Sequence, residues 1–332
     1  MRILLFTRLI PAILAVLAAG CGSNATPATG TVGASGASGA PGAADRAPSP
    51  AAFSQPALIA LDETTGALVY WPIKNGGGEH PQPLSKSLGI YQGYGLAASG
   101  NVIAIANYSP PEVVTYNVQT KAQSTLSDPY GGPLDVAIDK NGTIYAMNIN
   151  NVAVFPAGSS TPTELTCGYI TDGQAIAVDN EGDVFVNGYA GNGMGVAEYA
   201  KGSQTCTRPH LRAERGYVGG IGVDPKTDDL IVVDDPDLCA GGLEGRMVIY
   251  PKPYEERTSR RRNLGANYCA GTFRLNARSS LIFVSDATVS AGYPLIDQRT
   301  YPAARDRGTY ESGYYSGDSL GGFTTIPNTL PN

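Results

Sequence analysis

The sequence predicts an all-β protein built as a closed ring of six four-stranded sheets, on three observations. It carries 42 glycines and 24 prolines in 332 residues, a hairpin pattern recurs along it, and its two ends supply complementary parts of one repeat. Glycine and proline interrupt helices and collect where a chain turns often, so this balance excludes a helical bundle. The formal net charge of −6 becomes more negative once the leader arginines Arg2 and Arg8 are removed. No phosphate-tracking surface is expected, and nucleic acid is excluded as a partner class. The only histidines, His80 and His210, lie far apart, which leaves little for histidine-based metal or acid/base sites.

In chain order, residues 1–20 read as an export leader: Arg2 and Arg8 supply positive charge ahead of an apolar stretch from Ile10 to Ala19 that is too short to span a bilayer. The stretch closes with Leu17, Ala18, Ala19, Gly20 and Cys21, and it resembles a bacterial lipoprotein signal. That resemblance implies lipidation of Cys21 and an extracytoplasmic location. Gly22 in place of an aspartate implies the outer membrane where the host has one. Residues 21–56 are dominated by Gly, Ala, Ser, Thr and Pro, too polar and too small to repay ordering. They read as a disordered tether, which as a flexible coil holds the folded part roughly 30–35 Å from the membrane. Contact with the membrane is expected through the anchor alone.

From residue 57 the pattern repeats. LDVAIDKNGTIYAMN (134–148), AIAVDNEGDVFVN (175–187), IGVDPKTDDLIVVD (221–234) and FRLNARSSLIFVSD (273–286) each place two apolar strands around a polar turn, and GLAASGNVIAIAN (95–107) fits the same frame. A third strand follows each pair with an aromatic near its end: Tyr116, Phe155, Tyr199, Tyr250 and Tyr301. ALIALDETTGALVYWPIKNGGG (57–78) supplies only second and third strands, with Trp71 in the aromatic position. LGGFTTIP (320–327) matches the first strand of the other units, so the termini are expected to share one sheet.

The second strands end in Asp62, Asn107, Asn148, Asn187, Asp234 and Asp286, spaced 45, 41, 39, 47 and 52 residues apart. Six units of about 46 residues, closed radially, remove the strand edges that promote aggregation. Residues 57–327 thereby resemble the six-bladed β-propellers of the NHL-repeat and gluconolactonase-like group, with residues 328–332 left as a C-terminal tail.

Four cysteines remain beyond Cys21, and export permits disulfides. In a propeller Cys239 and Cys269 flank one unit on one face, which predicts a bond between them. Cys167 with Cys206 then follows by elimination. No C-x-x-C spacing supports a metal site. Ser319 lies in SGDSLGG (316–322), which matches a hydrolase motif, but no histidine follows it in the chain. A glycine-rich crossover loop explains it. The arginines Arg257, Arg260, Arg261 and Arg262 are placed on the hairpin between third and fourth strands of the fifth unit.

No catalytic constellation or cofactor is expected. Tyrosine recurs in the crossovers ahead of the units as Tyr91, Tyr130, Tyr169, Tyr217, Tyr268 and Tyr315, and its apolar face with a hydroxyl suits a wet binding surface. The expected function is a ligand- or protein-binding module acting through the crossover face. Tyr130, Tyr169 and Tyr217 would make contact, Asp135 and Asp172 would supply polarity, and the partner would be a protein, peptide or carbohydrate. The alternative implied by the resemblance is a metal-dependent lactonase-like hydrolase, with a divalent cation held by Asp135, Asn148, Asn187 and Asp234. Against it, Asp135 is the single acid among the first-strand starts Gly95, Asp135, Gln174, Gly220, Thr272 and Gly322.

Overall fold

The computed structural model describes residues 55–78, 80–90, 92–191, 193–209, 211, 217–235, 245–265, 270–286, 295–311 and 320–326. The leader, Cys21, the tether as far as residue 54, the tail, Cys239, Cys269, Tyr91, His210, Tyr268, Tyr315 and Ser319 lie outside the described residues.

The chain begins with β1 (Ala57–Asp62), β2 (Ala67–Pro72), β3 (Gly76–Gly78) and β4 (Gln82–Pro83). The second sheet is β5 (Gly93–Ser99), β6 (Val102–Asn107), β7 (Glu112–Asn117) and β8 (Gln123–Ser127), and the third is β9 (Asp135–Ile138), β10 (Ile144–Met147), β11 (Asn151–Phe155) and β12 (Thr163–Thr166). The fourth holds β13 (Asp172–Val178), β14 (Val184–Tyr189) and β15 (Met194–Tyr199). The fifth is β16 (Tyr217–Val223), β17 (Leu230–Asp235), β18 (Gly245–Tyr250) and β19 (Arg260–Gly265). The sixth is β20 (Ala270–Leu275), β21 (Leu281–Asp286), β22 (Leu295–Thr300) and β23 (Asp306–Glu311), and β24 (Leu320–Ile326) returns to pair with β1. Arg257 lies in a single 3-10 turn, and Arg260, Arg261 and Arg262 open β19, on the hairpin expected for them.

These sheets are the six blades of a β-propeller. The first strands β24, β5, β9, β13, β16 and β20 each touch the next around a central axis, and β20 meets β24. Both faces of every blade are apolar, so no blade buries itself alone. Six clusters of buried side chains form the core, one at each junction between neighbouring blades. Trp71, Tyr116, Phe155, Tyr199 and Tyr250 all lie in these clusters, which is why an aromatic recurs near the third-strand end: one large ring fills each wedge between diverging blades.

The ring closes by backbone pairing within blade 1. β24 pairs antiparallel with β1, Ala57 opposite Ile326 and Ala60 opposite Phe323. A second latch was not legible beforehand. β3, three glycines long, leaves blade 1 and pairs parallel with β23, making a fifth strand on blade 6. The Tyr310 hydroxyl accepts the Lys74 N–H at 3.0 Å and donates to Gln298 Oε1 at 2.8 Å, pinning the strap to the core.

Blade 4 departs from four strands in the other direction. Beyond β15, among the described residues, only Glu198 and Thr207 exchange backbone bonds, at 2.9 and 2.8 Å, and Thr205 bridges in parallel to Thr166 of blade 3. Cys167 and Cys206 form the disulfide at this point, with Cα atoms 5.5 Å apart. The covalent bond holds a fourth-strand segment that its own hydrogen bonds hold poorly.

Candidate functional site

Every first strand starts at the face carrying the blade-to-blade crossovers and runs toward the face carrying the first hairpin turns. The axis between these faces is not an open pore. Arg274, on β20 of blade 6, crosses it to reach Asp135 on β9 of blade 3, the blade directly opposite, at 2.8 Å. Its Nε and one terminal nitrogen also donate to the Leu96 carbonyl of blade 2, at 3.0 and 2.8 Å. The other terminal nitrogen bonds the Phe273 carbonyl at 2.9 Å and Thr272 Oγ1 at 3.3 Å. The Ile176 N–H of blade 4 donates to the second Asp135 oxygen at 3.1 Å. Burial pushes the Asp135 carboxyl up, and Arg274 and the neighbouring N–H groups pull it back only in part. Gly95 makes this closeness possible: a Cβ there would stand 2.1 Å from Asp135 Oδ1.

Asp135 is therefore a strut inside the ring, where contact with a partner was expected. The divalent-cation arrangement does not fit these residues. A guanidinium and an N–H already occupy both Asp135 oxygens, and Asn187 Oδ1 accepts the Ala175 N–H at 2.8 Å. Asn148 Nδ2 donates to Asp128 at 3.1 Å and Asn151 at 2.8 Å, and its Oδ1 is buried without a hydrogen-bond partner, but neither Asp135 nor Asn187 has an oxygen left to complete a site with it. The Asp234 side chain lies outside the described residues. Among the described residues one trio of carboxylates comes together, Asp179, Glu181 and Asp183. The Lys252 ammonium already bonds two of the three, 3.2 Å from Asp179 and 2.8 Å from Glu181. Asp179 Oδ1 in addition accepts three turn N–H groups, from Glu181, Gly182 and Asp183.

The asparagines at second-strand ends brace neighbouring elements more than they cap turns. Asn107, Asn148 and Asn187 are buried, and of the described set Asp62 alone caps its own turn, through the Thr64 and Thr65 N–H groups. Repeated turn caps stand instead one residue beyond the first strands. Asp139, Asp179, Asp224 and Asn276 each accept N–H groups from the following turn.

The crossover face has a different character. Among the described residues, the large apolar side chains left exposed are Tyr94 (47%), Tyr130 (36%), Ile149 (39%) and Tyr189 (39%). They stand in a crossover (Tyr130), at a first-strand start (Tyr94), in a second-to-third-strand turn (Ile149) and at a second-strand end (Tyr189), all in blades 2 to 4. The belt is continuous. Tyr94 and Tyr108 stack edge to face at 5.9 Å, Tyr108 lies against Gly132, Gly131 lies against Asn148, and the Ile149 carbonyl accepts the Gly173 N–H at 2.7 Å. Asp172 opens β13 opposite Tyr189, with its carboxylate on Gln174 Nε2 at 3.0 Å.

Of the sequence-derived contacts, Tyr130 and Asp172 belong to this belt. Tyr130 lies over blade 3, its hydroxyl 3.4 Å from the Pro162 carbonyl. Tyr169 is half-buried beside the disulfide, with its hydroxyl directed at the Val196 and Thr207 carbonyls, at 2.5 and 3.1 Å, and burial pushes its phenol up. It braces the weak edge of blade 4. Tyr217 opens β16 opposite Asp235, and its side chain lies outside the described residues. Sequence reasoning missed Tyr108, Ile149 and Tyr189. Their signal was position: each stands within two residues of a first-strand start or a second-strand end.

No protein-family model and no curated protein matches the sequence. Solved structures do match the fold. A chain in the crystal structure of a nidogen/laminin complex aligns with TM-score 0.67 and 14% identity, over 83% of this chain and 100% of that one. TolB from Acinetobacter baumannii aligns with TM-score 0.62 and 12% identity, over 81% of this chain and 66% of that one. At such identities the likeness is one of fold.

Proposed function

We propose that the protein is a lipid-anchored, extracytoplasmic binding module that holds a protein partner against the crossover face of blades 2 to 4. The observation that carries this is the confinement of every exposed large apolar side chain among the described residues to that face, on turns fixed by sheet ends. Exposed aromatic clusters on rigid supports are the usual anchors of protein interfaces, because burying a tyrosine there costs little side-chain order and removes much apolar surface from water. The first of the structural neighbours comes from a protein–protein complex, in keeping with this use of the fold.

The disulfide between Cys167 and Cys206 supports an oxidising compartment, and Cys21 with its tether supports attachment to a membrane surface. Membership of the NHL and gluconolactonase-like group is part of this reading of the fold, without the hydrolase activity, since Arg274 engages the acid that a cation would need.

The test is site-specific photo-cross-linking in intact cells. A photoreactive residue at Tyr94 or Tyr189 is expected to give a discrete protein adduct, and the same residue at Lys226 on the opposite face is not. Equal adducts from both faces, or none from the crossover face, would overturn the reading. Replacing Cys21 by serine is expected to release the protein from the membrane fraction.

A further inference from the structure

The hairpin face, opposite the aromatic belt, carries a blind funnel. Its volume is about 200 Å³, and its lining comes from the second halves of the first strands. The strand starts Gly95, Asp135, Gln174, Gly220, Thr272 and Gly322 take no part, because Arg274, which also lines the cavity, closes its inner end. The funnel's inner end lies at the Arg274–Asp135 pair.

Its wall is aliphatic by construction. Ala97, Ile138, Val178, Val223 and Leu275, one from each of five successive blades, are half-exposed around it. Four of them directly precede a turn cap: Ile138 before Asp139, Val178 before Asp179, Val223 before Asp224 and Leu275 before Asn276. Each of these four side chains also packs against a core cluster between two blades, which fixes the wall in place.

The charged groups at the rim are unequal. Asp139 and Asp179 are buried and filled by turn N–H groups, with Lys252 also on Asp179. All the N–H groups of Arg274 point at protein acceptors. Lys140 is exposed, and its ammonium spends one bond, to the Asn180 carbonyl at 2.7 Å. Among the charged groups of the rim, the one with unspent hydrogen-bonding capacity is thus a cation.

We infer that this funnel binds a small amphiphilic carboxylate, with a compact apolar body inside the aliphatic ring and the carboxylate at Lys140. The size is suitable, since an apolar cavity of about 150 Å³ accepts benzene. Apolar walls with one or two placed polar groups are the usual make-up of a small-ligand site. The inference does not rest on the partner proposed for the crossover face, because the Arg274 plug separates the two.

The probe is 3-phenylpropionate, titrated into the folded domain with methyl groups observed by NMR. Saturable shifts at Ile138, Val178, Val223 and Leu275 are expected. Lys140→Met is expected to weaken the acid about tenfold, the size of one charge-assisted hydrogen bond, and to leave 3-phenylpropanol unchanged. Val178→Phe is expected to abolish binding of both. No methyl shift up to the solubility limit, shifts confined to other residues, or equal weakening of acid and alcohol by Lys140→Met would overturn the proposal. The wild-type titration decides even if a variant does not fold.

Discussion

The Arg274 guanidinium meets the Asp135 carboxylate at 2.8 Å across the centre of the ring, joining opposite blades through residues 139 apart in sequence. The acid that the sequence offered as a contact for ligand is the one that closes the channel and divides the molecule into two separate faces.

Removing one member of this pair strands the other as a buried charge. Asp135→Asn is expected to destabilise the domain by about 3–5 kcal/mol. In Asp135→Asn with Arg274→Met the loss is expected to be smaller than the sum of the singles, because no guanidinium is left unpaired. Urea unfolding monitored by circular dichroism measures both, and strict additivity would show that the pair is not coupled.

Alkaline pH is expected to unfold the protein through its buried phenols. Burial pushes Tyr199 up to about 12, while an unfolded tyrosine ionises near about 10. Below the unfolded value both states keep the proton, and the contribution to stability is fully present. As pH rises from there through the folded value the unfolded state releases a proton that the folded state retains, so stability is lost. Absorbance at 295 nm, taken as the difference between wild type and Tyr199→Phe, should show this phenol ionising together with the loss of circular dichroism. Its ionisation with the fold intact would contradict this.

The disulfide closes a loop with a sequence separation of 39. Chain-entropy arguments put its stabilising effect at about 2–4 kcal/mol. Cys167→Ala with Cys206→Ala is expected to cost that much and to raise hydrogen exchange first at the Glu198 and Thr207 amides, whose two mutual bonds are what remains of a fourth strand. Uniform loss of protection through all blades would argue against a local role.

Gly77 sits at φ +73° with no room for a side chain, since a Cβ there would lie 1.8 Å from the Thr309 carbonyl oxygen. Gly77→Ala is expected to detach β3 from β23 while β24 stays paired with β1. Faster exchange at Tyr310 with unchanged exchange at Ala60 would show it. Tyr310→Phe, which removes the hydroxyl bonds to Lys74 and Gln298, is expected to cost about 1–3 kcal/mol.

Tyr94→Ser and Tyr189→Ser are expected to leave unfolding within about 0.5 kcal/mol of wild type, since both rings are exposed, and to reduce partner capture at least about tenfold each. Capture unchanged in the double variant would move the interface elsewhere.

Much of the ring was legible along the chain. Each blade's pair of apolar strands around a polar turn is a local property, so the hairpins at 134–148 and 175–187 could be read directly, and the split unit at residues 57–78 and 320–327 betrayed its closure by lacking one strand. The glycine strap β3 was not legible, because Gly76, Gly77 and Gly78 carry no strand propensity and are held as a strand by an edge that blade 6 offers. The site was legible in part. The crossover face could be expected from topology, and Tyr130 stands on it, whereas Tyr169 turned inward to brace blade 4.

By itself the sequence determined the repeating unit, its number and the joining of its ends, since alternation of apolar residues and turn chemistry act over a few neighbours. The tertiary structure alone decided which side chains meet across the axis. Strand period says that a residue leaves the sheet on one side, but only the closed ring brings Arg274 opposite Asp135 and leaves Tyr94 and Tyr189 without a neighbouring blade to cover them.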